Sequence, residues 1–368
     1  MGRKYSEELL NKIIEKQEVV DMEGLEVLVK NLPDCDVKGA IDPRLYLDMK
    51  PQLDMMNLVA SGEIEMPQQP GSITELRAAF NGIKSNPMVE ENIQIINKEV
   101  EAKDGYKIPI RIYKLEKTRD NADILYYIHG GGFFAGSPDV VEELVKLIVE
   151  KSDMIAVSVD YRLCPENPYP TGHEDCYTVL KWIYENAEML KGDKNNIFVA
   201  GDSAGGNLTQ YCTTRDKEDG LDMVKGQLLL YPTVNMANIE DEFFKWSIDE
   251  FQFTPKIEVG MKMSLQSFGE LTEMLGKTLG TEDINNKYLS PYGMELEGMP
   301  PTFITVGEHD YLKLECLAYG KKLKKANVKV KTVLYKGLGH AYGDNVGVYP
   351  QSEDCAYEMI KFIKENKR

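Results

Sequence analysis

One stretch limits what this chain can fold into more than any other: Asn196-Ile-Phe-Val-Ala-Gly-Asp-Ser-Ala-Gly-Gly-Asn207. Ile197 to Ala200 is a short apolar run rich in strand formers, which reads as a buried strand. Gly201-Asp-Ser-Ala-Gly205 fits G-x-S-x-G, a pattern that occurs once in the chain, and residues 206–212 can run on as a helix. Strand, sharp turn, helix is the context of a nucleophile elbow, in which a strained serine is lifted out of a sheet and faces a helix N-terminus. Gly201 and Gly205 lack Cβ atoms, so strand and helix can close tightly around Ser203. A glycine-rich turn with a capping serine would look the same over five residues, so the rest of the chain has to decide.

From residue 92 onward the pattern is that of a mostly parallel sheet with helices on both faces. Ile93–Ala102 and Lys107–Leu115 alternate around Asp104-Gly105, a strong hairpin signal. Strand and helix periods then alternate to the C-terminus, with strands at Ile124–Ile128, Met154–Val159, Leu228–Tyr231, Pro301–Val306 and Val328–Tyr335. The rhythm fails between Pro232 and Pro291, where aromatic and Met-rich helical pieces predict an insert lying over the C-terminal strand ends. Residues 1–91 read as helices. Leu9, Leu10, Ile13 and Ile14 recur at helical spacing, as do Leu25, Leu28 and Val29, Asp42-Pro43 starts a further helix, and Ser72-Ile-Thr-Glu75 is a capping box. The expected division is an N-terminal helical cap region at 1–91 and a catalytic domain at 92–368 with a cap insert at about 233–290. Residues 1–40 are expected to belong to the lid and to influence acyl-chain preference.

A serine hydroxyl needs a base, most often histidine. Of the four histidines, His340 lies in Gly337-Leu-Gly-His-Ala-Tyr-Gly343, a loop after the last strand and past every candidate acid. The order Ser…Asp…His requires that position. The acid belongs on the loop after the preceding strand, where Glu308 and Asp310 flank His309 and compete for the role. Oxyanion donors are expected from His129-Gly-Gly-Gly132, which follows a strand, and from the N–H of Ala204 directly after the nucleophile. Gly130-Gly-Gly-Phe-Phe-Ala135 also fits the dinucleotide pattern G-x-G-x-x-A, with Asp160 ending the next strand. Gly136-Ser-Pro138 separates those glycines from the following helix, and a nucleotide fold leaves the elbow and His340 unexplained.

Composition narrows the partners. A net charge of −17 argues against holding a nucleic-acid backbone. No apolar run is long enough to span a bilayer, and none of the six cysteines forms a C-x-x-C pair. The expectation is a cytoplasmic protein with free thiols, no cofactor and no metal, acting on a small molecule; a homo-oligomer stays open.

Three motifs in order carry a resemblance: His129-Gly-Gly-Gly-Phe133, Tyr161-Arg-Leu-Cys-Pro-Glu-Asn-Pro-Tyr-Pro170 and Gly201-Asp-Ser-Ala-Gly-Gly206. The chain resembles the hormone-sensitive-lipase-like branch of the α/β-hydrolase esterases from about residue 92 to its end. Ser290-Pro291 and Asp310-Tyr-Leu-Lys-Leu-Glu315 are also similar to family segments, although Leu314 stands where the family has Asp. The resemblance implies an α/β-hydrolase core with a helical cap. It also implies a serine carboxylesterase in which Ser203 is the nucleophile, His340 the base and Asp310 the acid, with Gly131, Gly132 and Ala204 holding the oxyanion. Phe133 and Phe134 are expected to contact substrate, with acyl groups of short to medium length. An acyltransferase or amidase with the same triad is the main alternative, and a silent ligand-binding protein a remote one.

Overall fold

Successive side chains of a strand point to opposite faces, and the described residues form a ten-stranded sheet whose central strands are buried on both. The computed structural model describes residues 2–66, 72–89 and 92–368. Its strands are β1 (Glu18–Met22), β2 (Leu25–Lys30), β3 (Ile93–Glu101), β4 (Lys107–Leu115), β5 (Ala122–Ile128), β6 (Ile155–Val159), β7 (Gly192–Asp202), β8 (Val224–Leu230), β9 (Thr302–Gly307) and β10 (Val330–Tyr335). Their spatial order is β1-β2-β10-β9-β8-β7-β5-β6-β4-β3. Every pairing from β6 to β2 is parallel, and the two ends are antiparallel. On β5, Leu125 and Tyr127 enter one core cluster with helices Pro138–Ser152 and Pro350–Asn366. Ile124, Tyr126 and Ile128 enter the other with helices Thr171–Glu185 and Ala204–Asp219. Both faces are covered, as a parallel sheet requires.

The helices begin where the sequence signals them. Ser137 accepts from the Asp139 N–H at 3.3 Å ahead of Pro138, and Asp42 accepts from the Arg44 N–H at 2.9 Å ahead of Pro43. Ser72 accepts from the Glu75 N–H at 3.3 Å and opens helix Ile73–Phe80. Pro67, Pro70 and Gly71, read as chain breakers, lie outside the described residues.

One N-terminal reading is corrected. Leu25, Leu28 and Val29 do not share a helix face. They lie on β2, which pairs with β1 through a turn in which Glu23 and Gly24 both have positive φ. β2 then adds in parallel to β10, Val27 opposite Thr332. Leu25, Val27 and Val29 are buried at 2 %, 0 % and 2 % exposure and Glu26 is exposed, a period of two. Lys30, 1 % exposed, bonds Asp354 and Glu358 of the C-terminal helix. Residues 18–30 therefore belong to the sheet and not to a helical cap.

The insert between β8 and β9 contains the long helix Glu258–Thr278 and, among its described residues, no strand. This helix packs on helix Pro43–Ala60, with Ile41, Leu53, Ile257 and Met261 forming a small core of their own.

Candidate active site

The elbow is built at the end of β7. Ser203 has φ 55° and ψ −118°, a region that side-chain-bearing residues seldom occupy, and it directly precedes helix Ala204–Asp219. A Cβ on Gly201 would stand 2.2 Å from the Gly205 carbonyl oxygen, and one on Gly205 would stand 2.1 Å from the Ile128 carbonyl oxygen. Neither position tolerates a side chain, which is the physical content of the G-x-S-x-G pattern here. Ser203 N–H donates to the Leu230 carbonyl at 2.9 Å, fixing the turn to β8.

His340 arrives from the loop after β10 and Asp310 from the loop after β9. His340 Nε2 is 2.9 Å from Ser203 Oγ, and His340 Nδ1 is 2.8 Å from Asp310 Oδ2. Asp310 is fully buried, and its other oxygen accepts from the Leu312 N–H at 2.9 Å. Glu308 points elsewhere: it binds Lys336 at 2.6 Å and accepts from the Gly337 N–H at 3.0 Å. Of the two carboxylates left open by residue order, Asp310 is the one brought to His340.

Electrostatics separates His340 from the other histidines. Burial lowers His129 and His173 to about 4 and lowers His309 as well, so these three are held neutral. Burial also acts to lower His340, but the Asp310 carboxylate, helped by Asp344 and Asp202, outweighs it and the net shift is upward. Aromatic rings enclose the imidazole: Tyr231 stands edge-on at 5.0 Å, and Phe268 of helix Glu258–Thr278 lies 5.0 Å away on the insert side.

The glycine loop leaves β5 next to the elbow, because Ile128 is in register with Gly201. Gly131 and Gly132 have φ of 115° and 61°, and a Cβ on Gly131 would meet the Ala135 carbonyl oxygen at 2.2 Å. Ala204 opens its helix, so its N–H has no intrahelical partner. Phe133 and Phe134, expected to meet substrate, are both largely packed inside the protein. Phe133 is 5 % exposed and stacked on His173, and Phe134 is fully buried against Phe80. Phe133, at φ 66°, joins the core beneath the sheet, whereas Phe134 packs with Leu76, Ile73 and Phe80 of helix Ile73–Phe80.

The sequence reading passed over several groups. Asp202 and Asp344 are buried carboxyls near His340, both pushed upward by burial. Glu315, raised to about 7 by burial, accepts from the Val234 N–H at 2.7 Å. Glu315 had a signal in the family segment quoted above; Asp344 and Phe268 had none. Among the described residues no cluster of side chains is fit to hold a metal ion, and no helix is long and apolar enough to cross a membrane.

A sequence model of the alpha/beta hydrolase fold matches residues 125–344, a stretch that holds the elbow, the glycine loop and all three converging side chains. The chain belongs to the α/β-hydrolase fold family, in its hormone-sensitive-lipase-like esterase branch. Carboxylesterase NlhH of Mycobacterium tuberculosis is 31 % identical over 288 residues, covering 78 % of this chain and 88 % of that one. Esterase LipI of the same organism is 29 % identical over 332 residues, covering 87 % and 93 %. Among solved structures, a Pyrobaculum calidifontis esterase superimposes with a TM-score of 0.68 at 25 % identity, covering 88 % of this chain and 98 % of that one. The thermostable carboxylesterase EstE1, cloned from a metagenomic library, gives 0.67 at 28 %, covering 81 % and 98 %.

Proposed function

We propose that this α/β hydrolase is a serine carboxylesterase that works through Ser203, His340 and Asp310 and a covalent acyl-enzyme. Hydrolysis of carboxylic esters follows from its family branch and its esterase relatives. The observation that carries the finer reading is the unbroken chain from Ser203 Oγ through both nitrogens of His340 to Asp310, at 2.9 and 2.8 Å.

Each step uses one of these groups. Ser203 Oγ attacks the ester carbonyl carbon while His340 Nε2 takes its proton. Asp310 accepts the Nδ1–H, which leaves Nε2 free as acceptor and stabilises the imidazolium once it forms. The oxyanion sits against the N–H groups of Gly131, Gly132 and Ala204, at the positive end of helix Ala204–Asp219. Imidazolium then protonates the departing alkoxide and the alcohol leaves. A water, deprotonated by the same nitrogen, attacks the acyl-enzyme; collapse of the second tetrahedral adduct returns the proton to Ser203 and frees the acid.

Helices Pro43–Ala60 and Glu258–Thr278 form the cap in this reading, with Phe268 above His340. The preferred acyl group is short to medium. The test is a panel of p-nitrophenyl esters of rising acyl length, with Ser203→Ala as control. Ser203→Ala is expected to fold normally and to lose at least ~10³-fold in kcat, as deletion of a catalytic nucleophile does. Near-full turnover in that variant would overturn the proposal.

A further inference from the structure

The reaction above needs three backbone donors from two separate segments to meet on one oxygen. Ala204 belongs to the elbow after β7, whereas Gly131 and Gly132 belong to the loop after β5. A displacement on the order of 1 Å between these segments would cost roughly 10²-fold in rate. Something must hold them in register, and glycines, having no side chains, cannot.

Asp202 is the residue just before the nucleophile. Its side chain reaches the end of β5 and the loop that follows. Oδ1 accepts from the Gly130 N–H at 3.0 Å, one residue before the oxyanion glycines, and from the Tyr127 O–H at 3.2 Å, near the end of β5. The carboxyl is 4 % exposed. Its fit to the loop is tight: a Cβ on Gly130 would lie 2.3 Å from Asp202 Oδ2 and 2.7 Å from the Asp202 carbonyl oxygen. The far side of the loop is held separately, by the Tyr161 hydroxyl on the His129 carbonyl at 3.1 Å and by Arg77 on the Phe134 carbonyl at 2.6 Å.

We propose that Asp202 is a positioning residue that clamps the oxyanion loop to the nucleophile elbow, so that the Gly131, Gly132 and Ala204 N–H groups converge. Asp202 touches no reacting atom and acts through Gly130. This inference rests on the serine esterase reading and adds a part to it. Burial raises the Asp202 carboxyl, and the charge of Asp344, four residues past His340, raises it further; the Gly130 N–H, the Tyr127 O–H and His340 pull it back. The net push is toward the protonated form. A neutral carboxyl keeps its carbonyl-type oxygen as acceptor for Gly130 and places no full negative charge beneath a developing oxyanion. Asparagine copies that state: an acceptor oxygen on the same stem, without charge.

The experiment compares Asp202→Ala, Asp202→Asn and Tyr127→Phe with the parent enzyme, reading kcat and KM on p-nitrophenyl acetate and the inhibition constant of phenylboronic acid. The boronate forms a tetrahedral adduct on serine whose oxygen occupies the oxyanion position. Asp202→Ala is expected to lose roughly 10²-fold in kcat with little change in KM, and to bind boronate weaker by a similar factor. Asp202→Asn is expected to stay within about 5-fold of the parent in both, and Tyr127→Phe within about 3-fold, since the Gly130 bond survives. A folded Asp202→Ala enzyme with parental kcat and boronate affinity overturns the clamp, even if its Tm has fallen. So does an Asn variant as impaired as Ala, or a Phe variant that loses the full 10²-fold. If Ala does not fold, Asp202→Thr, which fills the space without reaching Gly130, takes its place under the same criteria. Ser203→Ala runs alongside: activity there would sink the serine mechanism itself, whereas parental activity in Asp202→Ala with an inactive Ser203→Ala sinks only the clamp.

Discussion

Replacing Asp310 by Asn tests the His340 contact at the level of single hydrogens. In the parent, Asp310 Oδ2 accepts from His340 Nδ1 at 2.8 Å and Oδ1 accepts from the Leu312 N–H at 2.9 Å, so the site asks for two acceptors. Asparagine offers one. If its oxygen stays on Leu312, its NH₂ faces His340 Nδ1 and forces the proton onto Nε2, where it points at Ser203 Oγ and cannot accept. If the amide flips, the NH₂ meets the Leu312 N–H and a buried donor is left unpaired, at a cost of about 1–3 kcal/mol. The first arrangement is cheaper, and it is the wrong tautomer for catalysis. The expected loss in kcat is on the order of 10⁴, or about 5.4 kcal/mol of transition-state stabilisation, with the fold intact. Glu308→Gln is the matched control. It disturbs Lys336 and Gly337 but leaves His340 alone, and should stay within about 3-fold of the parent. Steady-state kinetics on p-nitrophenyl butyrate, with circular dichroism to verify folding, decides the matter. An Asn variant retaining more than a tenth of parental kcat, or a Gln variant losing as much as Asn, would refute the tautomer argument.

Other expectations follow from the same geometry. Because Asp310 raises His340 against burial, the acid limb of the kcat/KM profile is expected above the ordinary histidine value of about 6.5, and Asp310→Asn should move it down. A limb that stays put in the variant would mean that another group titrates. The sign for stability is opposite: protonated His340 stabilises the fold at low pH, and that contribution fades as pH rises through the raised folded value. Removing residues 1–40 takes away β1 and β2, strips Lys30 from the buried Asp354 and Glu358, and opens the β10 edge; precipitation or a Tm drop of about 10 °C is expected by calorimetry. A soluble truncation with parental Tm would contradict the structural role given to β2.

How far the sequence could be read depended on whether the signal was local. The pairing of Ser203 with His340 was legible, because the elbow pattern occurs once and the histidine loop follows a recognisable strand; residue order left Glu308 and Asp310 open, and only the family resemblance favoured Asp310. The β3–β4 hairpin was legible through Asp104-Gly105. β2 was not: Leu25, Val27, Leu28 and Val29 form a nearly continuous apolar run that fits a helix stripe as well as a strand, and its partner β10 lies at the other end of the chain. The packing of Phe133 and Phe134 was not legible either: proximity in sequence to an oxyanion glycine says nothing of direction, and the two rings join different clusters. Asp202 occupies the free position of G-x-S-x-G, where any residue satisfies the pattern, so only coordinates reveal what its oxygen holds.

The parallel pairing of β2 with β10 also orders events during synthesis. Residues 18–30 are synthesised well before the strand that receives them, because Val27 pairs with Thr332 on β10. Arg3 and Tyr5 wait longer still, because both bind Glu353 in the final helix. Until then the β1–β2 hairpin has no sheet to join, and a two-stranded hairpin alone is marginal in water. Pairing of β2 therefore has to wait for the C-terminal part of the sheet. A chain stopped before β10 would carry the apolar edge of β2 unpaired, an exposed strand edge prone to aggregation.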